Sequence, residues 1–338
     1  MLDHSVAAVV AGVGCCLPVR VVQNTDEPIT LLDTTDEWIR SRTGIERRRW
    51  AGPGESTGDL AVEAGRRALE SAGVNGVDLV VLSTTTPDHH SPATAPWVAA
   101  QLGLGSVPAF DIAAACSGFV YAVAAGDAWI KSGTAQRVLV IGAETLSTIT
   151  DMSDRGTAVV FADGAGAAVL RQGTREEAGA VLAVRLGSDG TQKDLAVIAA
   201  GGARWPDPQR AADPGERCLQ MQGPQMFGHA VRRMTEVSRG VLEQVGWQVE
   251  DVEAFIGHQA NQRILDKVAS LVGVPAGRCL GNIRSVGNTS SASIPLVMDE
   301  AVREKAVAPG ARTLLTAFGG GAVWGAVALT WPDVQPSP

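Results

Sequence analysis

The chain has 338 residues, of which 45% are hydrophobic, 19% charged and 39 are glycine, a profile that excludes disordered and fibrous classes and fits a packed α/β protein. A net charge of −8 argues against nucleic acid as a partner, and no apolar run reaches the roughly 18–20 residues that span a bilayer, so no membrane partner is expected either. Five cysteines, at positions 15, 16, 116, 218 and 279, are odd in number and lack CxxC spacing, which leaves no disulfide framework and no metal site to expect.

The opening stretch MLDHSVAAVVAGVGCCLP carries no Lys or Arg ahead of its apolar run. It therefore predicts a first strand rather than a secretory leader, and a cytoplasmic protein. A helical pattern over 59–73 ends in Gly73 and leads into the apolar strand DLVVLSTTTPD (78–88). Residues 116–133 predict a second helix and 137–145 a second buried strand, followed by a glycine-rich hairpin over 159–170. Residues 171–225 hold Gly, Pro and charge clusters without sustained periodicity, and predict a long surface excursion of the kind that covers a site. The order then repeats: a helix over 227–246, a strand in VEAFIGHQAN (252–261), a helix over 291–306, and strands 312–321 and 322–331 turning at Gly319–Gly321. Continuous Val/Ile/Leu/Ala runs point to strands buried on both faces, and helix–strand alternation to crossover units. The expectation is a duplicated α/β architecture with halves at 1–175 and 176–338; a plain doubly wound sheet is the alternative that the same alternation allows.

Three residues stand out against this layout. Cys116 sits where a short strand runs through alanines into a helix, and a helix start stabilises a thiolate, the form that attacks thioesters. The other four cysteines lie in the first strand (15, 16) or in loop-like stretches (218, 279), where packing explains them. Among five histidines, His4 is terminal, His89 and His90 occupy a Pro-flanked loop, and His229 shares a helix face with arginines. His258 alone ends a buried strand, the place where α/β enzymes keep their sites. Asn288, in SVGNTSSASIP, reads locally as a turn or cap. In the repeat it opens the helix equivalent to the one that Cys116 opens, so the two helix starts would face one cleft.

The stretches TTDEWIRSRTGIERRR (34–49), FDIAAACSGF (110–119), DRGTAVVFADGAGA (154–167), HQANQRI (258–264), GNTSSASIP (287–295) and AFGGG (317–321) together resemble β-ketoacyl-acyl carrier protein synthase III of the thiolase superfamily. The resemblance implies a homodimer of thiolase-like five-layer αβαβα subunits with Cys116, His258 and Asn288 as its catalytic centre. It further implies acyl transfer from acyl-coenzyme A to Cys116, with the backbone N–H groups of Cys116 and Gly320 as oxyanion donors. Decarboxylative condensation with malonyl-acyl carrier protein would follow, His258 and Asn288 holding the enolate; no cofactor or metal is called for. Trp38 and Arg155 would sandwich the coenzyme A adenine, with Arg42 at its phosphates. Arg263 would dock the carrier protein, Asn261 would orient the site and Phe318 would shield Cys116.

Two positions depart from the family pattern. Gly228 stands where a basic carrier-docking residue is common, with Arg232, Arg233 and Lys267 as the basic residues that would compensate. Ser91, on the loop expected to close the partner's acyl pocket, stands where acetyl-preferring members carry a bulky Phe, which predicts acceptance of longer or branched acyl groups. A relative that passes the Cys-bound acyl group to a hydroxyl, an amine or another small acceptor is the alternative.

Overall fold

The computed structural model describes residues 5–207 and 214–337. The chain runs through β1 (Val6–Cys16), β2 (Val21–Gln23), α1 (Asp36–Thr43), β3 (Arg47–Arg49), α2 (Thr57–Ala72), β4 (Leu79–Ser83), α3 (Ala95–Gln101), β5 (Ala109–Ile112), α4 (Gly118–Lys131), β6 (Arg137–Thr145) and β7 (Asp163–Thr174). It continues with β8 (Val181–Ser188), β9 (Ala196–Val197), β10 (Gln220–Met221), α5 (Gly223–Val245), β11 (Ala254–Gly257), α6 (Gln262–Val272), β12 (Cys279–Leu280), α7 (Ile283–Val286), α8 (Ser293–Arg303), β13 (Arg312–Gly319) and β14 (Val323–Thr330).

Two five-stranded sheets form, ordered β1-β7-β6-β4-β5 and β8-β14-β13-β11-β12. Their pairings match one for one. The first two pairs of each sheet are antiparallel and the last two parallel. The repeat in the sequence is thus a repeat in topology. Between the sheets lie α4 and α8, each touching both; α2 covers the outer face of the first sheet and α5 that of the second. The result is the five-layer αβαβα arrangement. The central position of α4 explains its sequence, GFVYAVAAGDAWIK, which is apolar around most of its circumference because both sides meet a sheet. By contrast α2 is amphipathic, starts in a Ser56–Asp59 capping box and ends at Gly73 in the left-handed region. Strand β4 is buried at all five positions and β6 at all but its first. Among the described residues no helix is long and apolar enough to cross a membrane.

The structure corrects the expected excursion over 171–225. Strand β7 runs to Thr174, and β8 pairs with β14 along most of its length as the counterpart of β1, so the second sheet begins inside that stretch. Residues of β8 bury alternately at Val181 and Ala183 and expose Arg185 and Leu186. An edge strand with one wet face shows this period-2 signal over too few residues to stand out beside Gly and Pro clusters. The covering role does hold for the rest of the stretch. Ala196, Val197, Ile198, Leu219 and Met221 line the central cavity. Positions 208–213 of it, and His4, lie outside the described residues. The expected hairpin over 159–170 is also shorter than read, since β7 starts only at Asp163.

Candidate active site

Strand β5 ends at Ile112, and the chain then turns sharply to present Cys116 in a short 3-10 turn, Ala115–Ser117, ahead of α4. Ala115 holds φ of 43°, a conformation that costs a non-glycine residue energy. The second half repeats the device. Ser290 has φ of 48° at the start of the turn Ser290–Ala292, ahead of α8 and two residues after Asn288. Glycines let these turns approach the sheets. A Cβ at Gly319 would lie 2.7 Å from the backbone nitrogen of Cys116, and one at Gly142 would lie 2.4 Å from the carbonyl oxygen of Ser291. Neither position tolerates a side chain without displacing a strained turn.

Cys116, His258, Asn288, Phe318 and Gly320 line one cavity of about 370 Å³. The structure therefore brings together residues scattered over more than 200 positions of sequence. His258 follows β11, with its backbone N–H donating to Thr316 at 2.8 Å, and its side chain is only 2% exposed. Burial depresses its pKa to about 3, so the imidazole is neutral. Asn288 is pinned by its backbone, which donates to Val160 at 3.0 Å and accepts from Ala162 at 2.8 Å. Its Oδ1 accepts the Ser290 N–H at 2.9 Å, which commits that oxygen and leaves the Nδ2 hydrogens for the cavity.

Cys116 differs from expectation in its charge. Burial raises the thiol pKa to about 11, and the nearby carboxylate of Glu144 pushes the same way; only the Ser290 hydroxyl and the backbone at Cys116 favour the thiolate. The helix start is thus outweighed by desolvation, and the sulfur rests as a thiol although part of its surface opens on the cavity. Glu144 is fully buried and also raised by burial; it accepts from Thr85 at its N–H (3.0 Å) and hydroxyl (2.7 Å), from Thr86 (3.0 Å) and from Ser291 (2.8 Å). Sequence reading missed Glu144 and Ser290. Their link to Cys116 is across elements, and the signal available was the matching place of Ser290 and Ala115 in the repeat.

A second cavity, of about 530 Å³, adjoins the first and shares Met221, Met226, Ala260, Ile264 and Asn288 with it. Trp38, Arg42, Arg155, Asn261 and Arg263 line this outer chamber. Arg155 itself lies over the Trp38 ring, 5.3 Å from its centre, with Arg42 at 6.0 Å from the same ring. The guanidinium of Arg155 also donates to the Asp33 carbonyl at 2.6 Å. Asn261 caps α6 by accepting from the Arg263 N–H at 2.9 Å and donates from Nδ2 to the Arg42 carbonyl at 2.9 Å, tying α1 to α6. Arg263 is exposed beside Phe227. Gly228 is a bare position on α5, and the basic groups after it are partly engaged: Arg233 packs 4.5 Å from the Trp324 ring centre and bridges to Glu236. Ser91 is exposed and lines neither cavity of its own subunit.

Comparison with known proteins places this geometry. The family profile described as 3-oxoacyl-[acyl-carrier-protein (ACP)] synthase III matches residues 110–190, and its C-terminal counterpart matches residues 242–331. A Streptomyces coelicolor β-ketoacyl-[acyl-carrier-protein] synthase III is 54% identical over 97% of this chain and 98% of its own. The chain belongs to the β-ketoacyl-acyl carrier protein synthase III family. The crystal structure of the Pseudomonas aeruginosa family member superposes with a TM-score of 0.91 at 45% identity, covering 98% of this chain and 100% of that one. A priming β-ketosynthase from a polyketide biosynthetic pathway superposes with a TM-score of 0.90 at 37% identity, covering 100% and 99%. The site has two adjoining chambers, a mostly apolar pocket that Cys116 lines and a chamber lined by Arg42, Arg155 and Arg263.

Proposed function

We propose that the protein is a β-ketoacyl-acyl carrier protein synthase III that loads an acyl group from acyl-coenzyme A onto Cys116 and condenses it with malonyl-acyl carrier protein to start fatty-acid or polyketide chains. The observation that carries this reading is the meeting of Cys116, His258 and Asn288 on one cavity whose mouth is the Trp38–Arg155 chamber.

In the first step the sulfur of Cys116 attacks the thioester carbonyl, the bond to the coenzyme A sulfur breaks, and the thiol proton passes to the departing coenzyme A thiolate. The backbone N–H groups of Cys116 and Gly320 receive the transient oxyanion; loss of one such donor costs roughly 10²–10³ in rate. The adenine displaces Arg155 from the Trp38 ring and stacks between them, with Arg42 at the phosphates. In the second step the malonyl group loses CO2, and the electron pair of the broken C–C bond moves into the thioester as an enolate. The Nε2–H of His258 and an Nδ2–H of Asn288 donate to its oxygen. The carbanion attacks the acyl-Cys116 carbonyl, the C–S bond breaks, and the cysteine sulfur takes up a proton. Both donors are neutral, so the developing negative charge is stabilised without a competing fixed charge.

The subunit works as a homodimer in this reading. Strand β5 closes the order of its sheet and, among the described residues, pairs on one side only, leaving Phe110 and Ile112 half-buried for a partner's β5. The neighbouring loop would then bring the partner's Ser91 to the end of the acyl pocket, and the exposed Arg263 would meet the acidic carrier. Intact-protein mass spectrometry after exposure to a series of acyl-coenzymes A tests loading and pocket size together. Longer or branched acyl groups should load on Cys116 alongside acetyl; strict acetyl preference would refute the pocket reading, and absence of any adduct the function.

A further inference from the structure

The proposed condensation requires His258 to offer a hydrogen, not a lone pair, to the thioester oxygen. A neutral imidazole has one N–H, and its location is set by what the other nitrogen meets. Nδ1 of His258 lies 2.7 Å from the Oγ of Ser293, the first residue of α8. The backbone N–H of Gln259 also reaches that Oγ, at 3.3 Å. Its own side chain clamps this backbone in place. Oε1 accepts from the N–H groups of Asn282 and Ile283, and Nε2 donates to the Gly257 carbonyl.

Two arrangements of hydrogens are open to the pair. In one, Nδ1–H donates to Ser293; in the other, the serine hydroxyl donates to Nδ1. Ser293 is 1% exposed, and among the described residues its Oγ has no hydrogen-bond partners besides Nδ1 and the Gln259 N–H. The first arrangement therefore strands the hydroxyl hydrogen in the core without an acceptor, which is unfavourable. The second gives the hydroxyl hydrogen an acceptor in Nδ1 and turns the Nε2–H of His258 to the cavity. We infer, resting on the condensation proposed above, that Ser293 is a positioning residue that donates its hydroxyl hydrogen to Nδ1 and so holds His258 as the Nε2–H tautomer facing the cavity.

The first half of the chain lacks the pair. By the matched register of the two sheets Ser83 occupies the place of His258, and Gly118, the first residue of α4, that of Ser293. A Cβ at Gly118 would overlap the Ser83 hydroxyl, so the matching contact has no room for a side chain there. In the second half the hydroxyl goes with the imidazole. The segment 287–293 then supplies both halves of the enolate clamp: the Asn288 amide directly, and the orientation of the imidazole hydrogen through Ser293.

Long-range ¹H–¹⁵N correlation spectra of the full-length protein labelled at histidine nitrogens read the tautomer directly, with His258 assigned by the loss of its signals in His258→Gln. A pyridine-like Nδ1 and a pyrrole-like Nε2 are expected; a pyrrole-like Nδ1 overturns the inference. In kinetics, Ser293→Ala should lower kcat for condensation by about tenfold or more, within the 10²–10³ ceiling for a lost oxyanion donor, while KM for acyl-coenzyme A moves less than about twofold. Ser293→Thr, which keeps the hydroxyl, should recover most of kcat. Condensation by Ser293→Ala within about twofold of the parent would overturn the inference. Should the alanine variant not fold, the spectrum of the unsubstituted protein decides alone. If the tautomer is as inferred but His258→Ala condenses at full rate, it is the proposed reaction that fails.

Discussion

Replacing Asn288 by Asp isolates what its amide does. The two side chains have nearly the same shape, and Asp keeps an oxygen to accept the Ser290 N–H that now binds Oδ1 at 2.9 Å. The substitution thus preserves the turn and exchanges only the Nδ2 donor for a second oxygen. Losing one donor to the enolate costs about 3–4 kcal/mol. A carboxylate about 4 Å from the enolate adds roughly 4 kcal/mol of repulsion at the effective dielectric of a protein site. The sum, about 7–8 kcal/mol, corresponds to a loss on the order of 10⁵ in condensation rate. Asn288→Ala, which loses the donor without adding charge, should lose only about 10²–10³. The assay is carbon dioxide release and β-ketoacyl product from malonyl-acyl carrier protein, with acylation of Cys116 followed separately by intact mass. Both variants should still acylate. An aspartate variant that condensed as fast as the alanine variant, or within about tenfold of the parent, would refute the role of the amide hydrogen.

Cys116→Ala should abolish the acyl-enzyme, seen as loss of the mass adduct. Because burial lifts the Cys116 thiol to about 11, alkylation of Cys116 by iodoacetamide, followed by peptide mass, should climb about tenfold per pH unit from pH 7 to 10; a plateau near neutrality would contradict the buried-thiol description. His258 is held neutral down to about pH 3 in the fold but ionises near its ordinary value once unfolded, so the unfolded chain binds the extra proton between those limits. Stability should therefore fall by several kcal/mol as pH drops from about 6.5 towards 3, and urea midpoints of the parent and His258→Gln should converge in acid; parallel curves would count against it. Trp38→Ala should raise KM for acyl-coenzyme A by about tenfold, the value of one to two kcal/mol of stacking, and leave kcat nearly unchanged, as steady-state kinetics will show.

Much of the site was legible in residue order. Cys116 at a strand-to-helix turn, His258 at a strand end and Asn288 at a matched helix start all lie where backbone direction changes, and the repeat relates their places along the chain. The charge on the cysteine was not legible. A helix start is a local feature, whereas burial of the sulfur, which raises its pKa, and the nearby charge of Glu144 arise only once distant elements pack together. Strand β8 escaped notice because an edge strand shows one apolar face over a few residues and is recognised by its ladder with β14. Ser293 escaped for a sharper reason. As a serine at a helix start it has a sufficient local explanation, and its contact with His258 bridges 35 positions.

The sequence by itself determined the duplicated α/β plan, the elements that carry chemistry and the family, because hydrophobic period, turn residues and motif order are written along one dimension. Tertiary structure alone decided which protonation states those elements hold. Charge and tautomer depend on how much water is excluded and on which donors and acceptors face one another, and these follow from packing between the two halves rather than from neighbours in the chain.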